Sequence, residues 1–267
     1  MNRALLAHTW RAYRWRLLIV SVALVGWGTV LPVVFDSFGN QFQGLFDSGA
    51  FPKQFSQFGG GDFFSLSGSV AIGFVHPLAV GLNLVFAVGY AASAIAGERQ
   101  AGTLEVLLAR PISRRGTYLT FALAATIFVA VTNAALTIGT FLGAVITGRT
   151  AELGAGNLPI LWLNGSMLFW AFAAVALLAS AASDRLSPAI GISLAFVLVS
   201  YFLEVLGSLW PDAAFLQPYS LFHYVDAKAD LAGLPHPGDF VVLATVIIVA
   251  VTAALVVFPR RDIAAPT

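Results

Sequence analysis

The side chains able to move a proton or hold a metal are few. The 267 residues include four histidines, His8, His76, His223 and His236, and no cysteine. None of the histidines stands in H-E-x-x-H, the spacing that puts two imidazoles and a general base on one helix face. The nearest approach to a G-x-S-x-G nucleophile is Gly191-Ile-Ser193-Leu-Ala195. It lies inside an apolar run, where small residues serve helix packing. His223, Asp226 and Asp230 share one side of a helix by spacing and could meet a metal, but polar caps on a loop account for them more simply. No metal site is expected. Only two lysines exist, Lys53 and Lys228, and neither follows a glycine-rich loop. The phosphate-cradling G-x-x-x-x-G-K-[ST] is therefore absent, and any nucleotide energy must come from a partner.

Charge is concentrated instead in one strip, GERQAGTLEVLLARPISRRG, from Gly97 to Gly116. It holds Glu98, Arg99, Glu105, Arg110, Arg114 and Arg115 around an apolar hexamer. Gly102 allows a sharp turn and Thr103 can cap a helix. Leu104, Leu107 and Leu108 have the i, i+3, i+4 spacing of one helix face. Pro111 stops the helix, and Ser113 can cap the next one. The chemistry of such a segment is docking. Two readings stand: an interfacial helix greasing a loop, or a plug for a groove on a cytosolic protein. In the second, the three leucines are buried anchors, and Glu98 and Arg99 make ionic contacts with the partner or a neighbouring subunit.

The elements around this strip belong in lipid. The chain is 58% hydrophobic and 10% charged, against about 25% charged in soluble domains. A span needs about 20 mainly apolar residues. Six stretches qualify: 17–35, ending soon after Pro32; 72–97, kinked or started at His76-Pro77; 117–148; 158–183; 187–206; and 240–258. They lack the period-2 alternation of barrel strands, so each satisfies its own backbone as a helix. The fold class is all-α and polytopic, with six transmembrane helices in a single domain over residues 1–267. A net charge of +1 gives no reason to expect nucleic acid.

Basic residues set the orientation. With six spans, Arg3, Arg11, Arg14, Arg16, Arg99, Arg110, Arg114, Arg115, Arg185, Arg260 and Arg261 share a side, and Lys53, Arg149 and Lys228 take the other, eleven against three of the 14. Both termini and the 98–116 strip are thus expected in the cytosol. Residues 1–16 mix arginine with Trp10, Tyr13 and Trp15, which suits a helix lying in the inner interface or a charged flank that fixes topology. The outer loop 36–71 is rich in phenylalanine, several three or four apart. One or two short helices are expected there, resting on the outer leaflet or capping the bundle, with a break at Gly59-Gly60-Gly61. Phe42, Phe46 and Phe55 are candidates for an outer gate or substrate path that favours apolar or amphipathic cargo. Glu204 falls near the outer end of a span. It either reaches the interface or marks an ion or substrate site.

The strip also resembles the G-E-(E/R)-x-x-G-T-L-E-x-L-L-x-x-P-(V/I)-S-R segment of bacterial ABC permeases of the type-2 exporter family, nearly without interruption from Gly97 to Arg114. The basic N-terminus, six spans, large first outer loop, PYSLFHYVD before the last span and terminal FPRRDI are similar as well. The resemblance implies a permease subunit in the bacterial cytoplasmic membrane, not itself an enzyme. It implies two separate ABC ATPase subunits carrying ATP and Mg, with no cofactor on this chain. It also implies a second permease copy or a related permease, and the surrounding membrane lipid. Glu98, Arg99, Gly102, Thr103, Leu104, Glu105, Leu107, Leu108, Pro111 and Arg114 would form the ATPase-coupling element. A membrane sensor or assembly factor that docks the same ATPase without moving cargo is the alternative. A lipid-modifying membrane enzyme has no catalytic constellation to support it.

Overall fold

The computed structural model describes residues 2–47, 65–109 and 112–261, with side chains for all of these except 39–47. Among the described residues there is no strand, and six helices are long and apolar enough to cross a membrane.

Helix α1 runs from Arg3 to Asp47 without a break, 45 residues and about 67 Å at 1.5 Å per residue. The Asn2 side chain caps its start by accepting from Leu5 N–H at 2.9 Å. Two expectations are corrected here. Residues 3–16 are the first turns of the first span and not a separate helix, because no glycine or proline interrupts 3–25. The helix also continues past residue 35, the expected end, to Asp47, and the ring of Pro32 inside it packs on Gly143 of a neighbouring helix. Membrane helices tolerate proline where neighbours cover the freed backbone group. Residues 48–64, including Phe55 and the glycine triplet, lie outside the described residues. Phe42 and Phe46 lie on the last turns of α1.

The second span is built in pieces. Helix α2 covers Leu66–Val75, and His76 then turns extended and caps α3, Pro77–Leu84, accepting from Leu78 N–H. This is the expected kink. A π-helical turn, Val85–Tyr90, comes next, then α4, Ala91–Gln100. Helix α5 is Thr103–Leu108, and α6 is Arg114–Ile146. Beyond it come short α7, Thr150–Leu153, then α8, Leu158–Ala182, and α9, Leu186–Leu209. A 3-10 segment, Pro211–Tyr219, folds back on α9. Short α10, Ala227–Leu231, leads to α11, Pro237–Arg260.

Helices α1 and α6 lie side by side and parallel. Asn2 N–H donates to Thr120 Oγ1, Trp10 stacks near Phe128, Thr29 Oγ1 donates to the Gly139 carbonyl, and Arg149 pairs with Asp36. The offset between partners stays nearly constant, which only parallel helices allow. Small residues let the backbones meet: a Cβ at Gly139 would overlap the Val25 carbonyl, and one at Gly143 the Thr29 carbonyl. Helix α8 sits at the centre, its alanines at 171, 173, 174 and 176 fully buried. Helix α9 buries only Ala189, Ser193, Val197, Ser200 and Gly207, a single stripe, and leaves the rest of its apolar surface outward.

Polar groups inside are paired across helices. Asn83 Oδ1 accepts from Thr132 Oγ1 at 2.8 Å and Asn133 Nδ2 at 3.2 Å. Such bonds hold membrane helices together with modest energies of about 1 kcal/mol.

Candidate functional site

The charged strip begins where α4 ends. The buried alanines 91, 92, 94 and 96 let α4 lie against α8, close enough for Ser180 to enter the backbone ladder of α4. Its hydroxyl accepts from Ile95 N–H at 3.1 Å and Ala96 N–H at 2.9 Å and donates to the Ala92 carbonyl at 2.7 Å. The lower half of the second span is thereby fixed to the central helix.

Gly102 then reverses the chain with φ 71°, a left-handed conformation open to glycine at little cost. It is the N-cap of α5, the place expected for Thr103. Thr103 instead tethers the turn: its hydroxyl donates to the Glu98 carbonyl at 3.0 Å and to the Glu98 carboxylate. The sequence pattern leaves open which neighbour the leucine stripe meets. Leu104 is 1% exposed and belongs to the bundle's own core, and Leu107 and Leu108 are half-buried against that core. The expected role of Leu104 as an outward anchor is therefore corrected. The face left in solvent holds Glu105, Val106, which is 67% exposed, and Ala109. Arg110 and Pro111 lie outside the described residues. Ser113 caps α6 as expected, accepting from Gly116 N–H at 3.1 Å.

A second set of contacts ties the strip to the rest of this end. Arg99, 11% exposed at its side chain, bonds Asp184 Oδ1 at 3.0 Å, and Arg261 reaches the same oxygen at 2.6 Å. Leu186 N–H donates to Gln100 Oε1 at 2.9 Å. Arg114 donates to the carbonyls of Pro259 and Arg261 at 3.0 and 2.7 Å. Those carbonyls close a helix C-terminus and lack intrahelical partners, so a guanidinium suits them. Asp184 is the shared acid, and sequence reasoning does not single it out. The available signal is a carboxylate in a three-residue turn, 183–185, on the basic side, but its partners stand 85 and 77 positions away.

Between the first turns of α1, the end of α4, α5 and α6 lies a cavity of about 530 Å³. Its walls include His8, Thr9, Tyr13, Tyr90, Glu98, Val106 and Phe121. Tyr13 and Tyr90 meet edge to face at 5.0 Å, and Tyr90 donates to the Phe121 carbonyl at 3.3 Å. The cavity joins aromatic walls to one carboxylate, next to the exposed helix.

A family model described as ABC-2 family transporter protein matches residues 13–263. The chain belongs to the ABC-2 transporter family. It is a multi-pass membrane permease component. No curated protein matches the chain.

The remaining candidates of the permease lie at the far end, away from the strip. Glu204 Oε1 accepts from Gln217 Nε2 at 3.1 Å beneath the folded-back 3-10 segment, and its Oε2 is buried with no hydrogen-bond partner among the described residues. Asp226 caps α10, accepting from Ala229 N–H. Asp230, 1% exposed, accepts from Asn164 Nδ2 at 2.9 Å. Burial pushes its carboxyl up to about 6, while the Asn164 bond pulls the other way.

Proposed function

We propose that this permease is the membrane half of an ABC exporter that takes its energy from a separate ATPase carrying ATP and Mg. Two copies of each subunit make the working unit. The arginine-rich end faces the cytosol, in line with the eleven-to-three distribution of basic residues. Helix α5 is the coupling helix, and Glu105, Val106 and Ala109 enter a groove on the ATPase. The observation that carries this reading is the two-sidedness of α5: Leu104 is locked in the bundle, while Val106 is offered to solvent on the opposite face. A segment so built receives force on one side and delivers it on the other. The 530 Å³ cavity beside it is within the range of small-molecule sites, and its aromatic walls with Glu98 support an amphipathic cargo entering from this end.

The test is co-purification with the ATPase subunit. Val106→Asp should leave the permease in the membrane and release the ATPase. Retention of the ATPase at wild-type level removes the coupling reading. Cargo export into vesicles distinguishes a transporter from a sensor, since a sensor would stimulate ATP turnover and move nothing. Orientation is tested in the naturally cysteine-free chain with Ser113→Cys and Tyr219→Cys, which should label from opposite sides.

A further inference from the structure

The 530 Å³ cavity sits where the chain is rich in arginine, yet its walls avoid that residue. From α1 it is lined by Ala4, Leu5, His8, Thr9, Ala12 and Tyr13, positions that recur on one helix face. Arg3, Arg11, Arg14 and Arg16 fall on the rest of the circumference, and all four are exposed. Among the described residues no arginine or lysine lines the cavity, and Glu98 is its one carboxylate. His8, its one basic side chain, is exposed.

The hydroxyl protons decide what the wall offers. Each hydroxyl has one proton and two lone pairs. Ser93 donates its proton to the Tyr90 carbonyl at 2.8 Å, so Tyr13 must donate to Ser93 Oγ, 3.3 Å away. Tyr90 donates to the Phe121 carbonyl at 3.3 Å, and Thr103 donates to Glu98. These four residues line the cavity, and their protons are spent inside the protein. What they leave to a ligand is oxygen lone pairs. Thr103 bonds the Glu98 carboxylate at Oε2, and Oε1 has no partner among the described residues. An anion finds neither a fixed positive charge nor free hydroxyl donors on this wall. A cation finds acceptors and a carboxylate, and Leu5, Ala94, Leu107 and Ile112 can cover an apolar body.

We propose that the cavity binds a protonated amine on an apolar body, its ammonium on Glu98 and its body along Tyr13, Tyr90 and Leu107. This narrows the amphipathic cargo of the exporter reading to cations. It rests on that reading for its place in transport, and its binding is measured apart from it.

The test uses the full-length permease in phosphatidylcholine nanodiscs, with binding read by equilibrium dialysis and empty nanodiscs subtracted. The probes share one aromatic body: naphthylmethylamine, naphthylmethanol and naphthoate. Wild type should bind the amine about 10–100-fold more tightly than the alcohol, the range of one hydrogen bond to a charged group, and should bind naphthoate least. Glu98→Gln keeps an acceptor for Thr103 and should erase the preference for the amine. Ala12→Trp adds bulk at an exposed wall position without charge and should weaken amine and alcohol alike. It decides the location if Glu98→Gln fails to fold. Equal wild-type affinity for amine and alcohol, or tighter binding of naphthoate, overturns the proposal. So does an undiminished amine preference in Glu98→Gln, or wild-type amine binding by Ala12→Trp. These failures leave the coupling reading of α5 standing, because no ATPase is present. That reading fails by its own measurement, retention of the ATPase by Val106→Asp, which does not touch the amine preference.

Discussion

Leu104→Ala and Val106→Ser act on opposite faces of one short helix and should fail in different ways. Leu104 is 1% exposed, and truncating a buried leucine costs about 2–5 kcal/mol. Helix α5 has six residues and is held by the Gly102 turn and the Thr103–Glu98 bonds. A loss of that size exceeds what so short an element can hold by itself, so α5 should leave the bundle while the spans stay folded. Amide hydrogen exchange over 103–109 should rise sharply, with exchange in α6 and α8 unchanged. Val106 is 67% exposed. Full burial of a valine is worth about 1.5–3 kcal/mol, so covering two-thirds of it contributes about 1–2, or roughly 5–30-fold in affinity. Val106→Ser should keep the wild-type exchange pattern and weaken ATPase binding by that factor, measured by titrating the ATPase onto permease in nanodiscs. If Leu104→Ala leaves exchange over 103–109 unchanged, the buried face does not hold α5. If Val106→Ser binds the ATPase at wild-type affinity, the exposed face is not the docking face.

Two further outcomes concern the far end and the α1–α6 seam. The Asp230 carboxyl stands at about 6 against an ordinary 3.8, so the folded chain holds this proton more tightly than the unfolded chain. Its stabilisation is full below about 3.8 and is lost as pH rises through about 6. The apparent melting temperature of wild type should therefore fall over that window relative to Asp230→Asn, and parallel curves would contradict the burial argument. Gly139→Ala places a Cβ into the Val25 carbonyl, whereas Gly81→Ala meets nothing within 4 Å. The first should lower the melting temperature, and the second should leave or raise it by helix propensity worth about 1 kcal/mol; equal effects would mean the two helices are not in close contact.

Much of the fold is legible in the sequence because lipid imposes long, charge-free runs, and six of these are visible. So are the turn at Gly102, the cap at Ser113 and the kink at His76-Pro77, which rest on local backbone chemistry. Legibility ends where a neighbour decides. Pro32 reads as a helix end in isolation, yet Gly143 gives its ring a seat and α1 continues. The i, i+3, i+4 leucine stripe shows that α5 has an apolar face but not whether the chain or a partner covers it. Asp184 becomes part of the site only when the fold brings Arg99 and Arg261 to one oxygen. No short-range pattern records that meeting. The π-helical turn is invisible for a related reason, since VFAVGY carries no proline to mark it.

That turn gives the proposed coupling a mechanical form. Below it, α4 is pinned by Ser180 and tied through Arg99 to Asp184, and so to the α8–α9 turn and the end of α11. Above it, α3 begins at the His76 break and is held to α6 through Asn83. A push on α5 reaches α4 through Thr103 and Glu98, and α4 can respond only as a unit with the elements it is tied to. The backbone between the two fixed parts must absorb the difference. Residues 85–90 are suited to do so, because a π turn is a rare backbone form that recurs at functional sites. Tyr90 closes this turn and is also a wall of the 530 Å³ cavity. Docking of the ATPase should therefore change hydrogen exchange in 85–90 more than in α8, and Ser180→Ala should reduce that difference by freeing α4 from the central helix. Equal protection changes in both segments would mean that the bundle moves as one body and that the π turn is not its hinge.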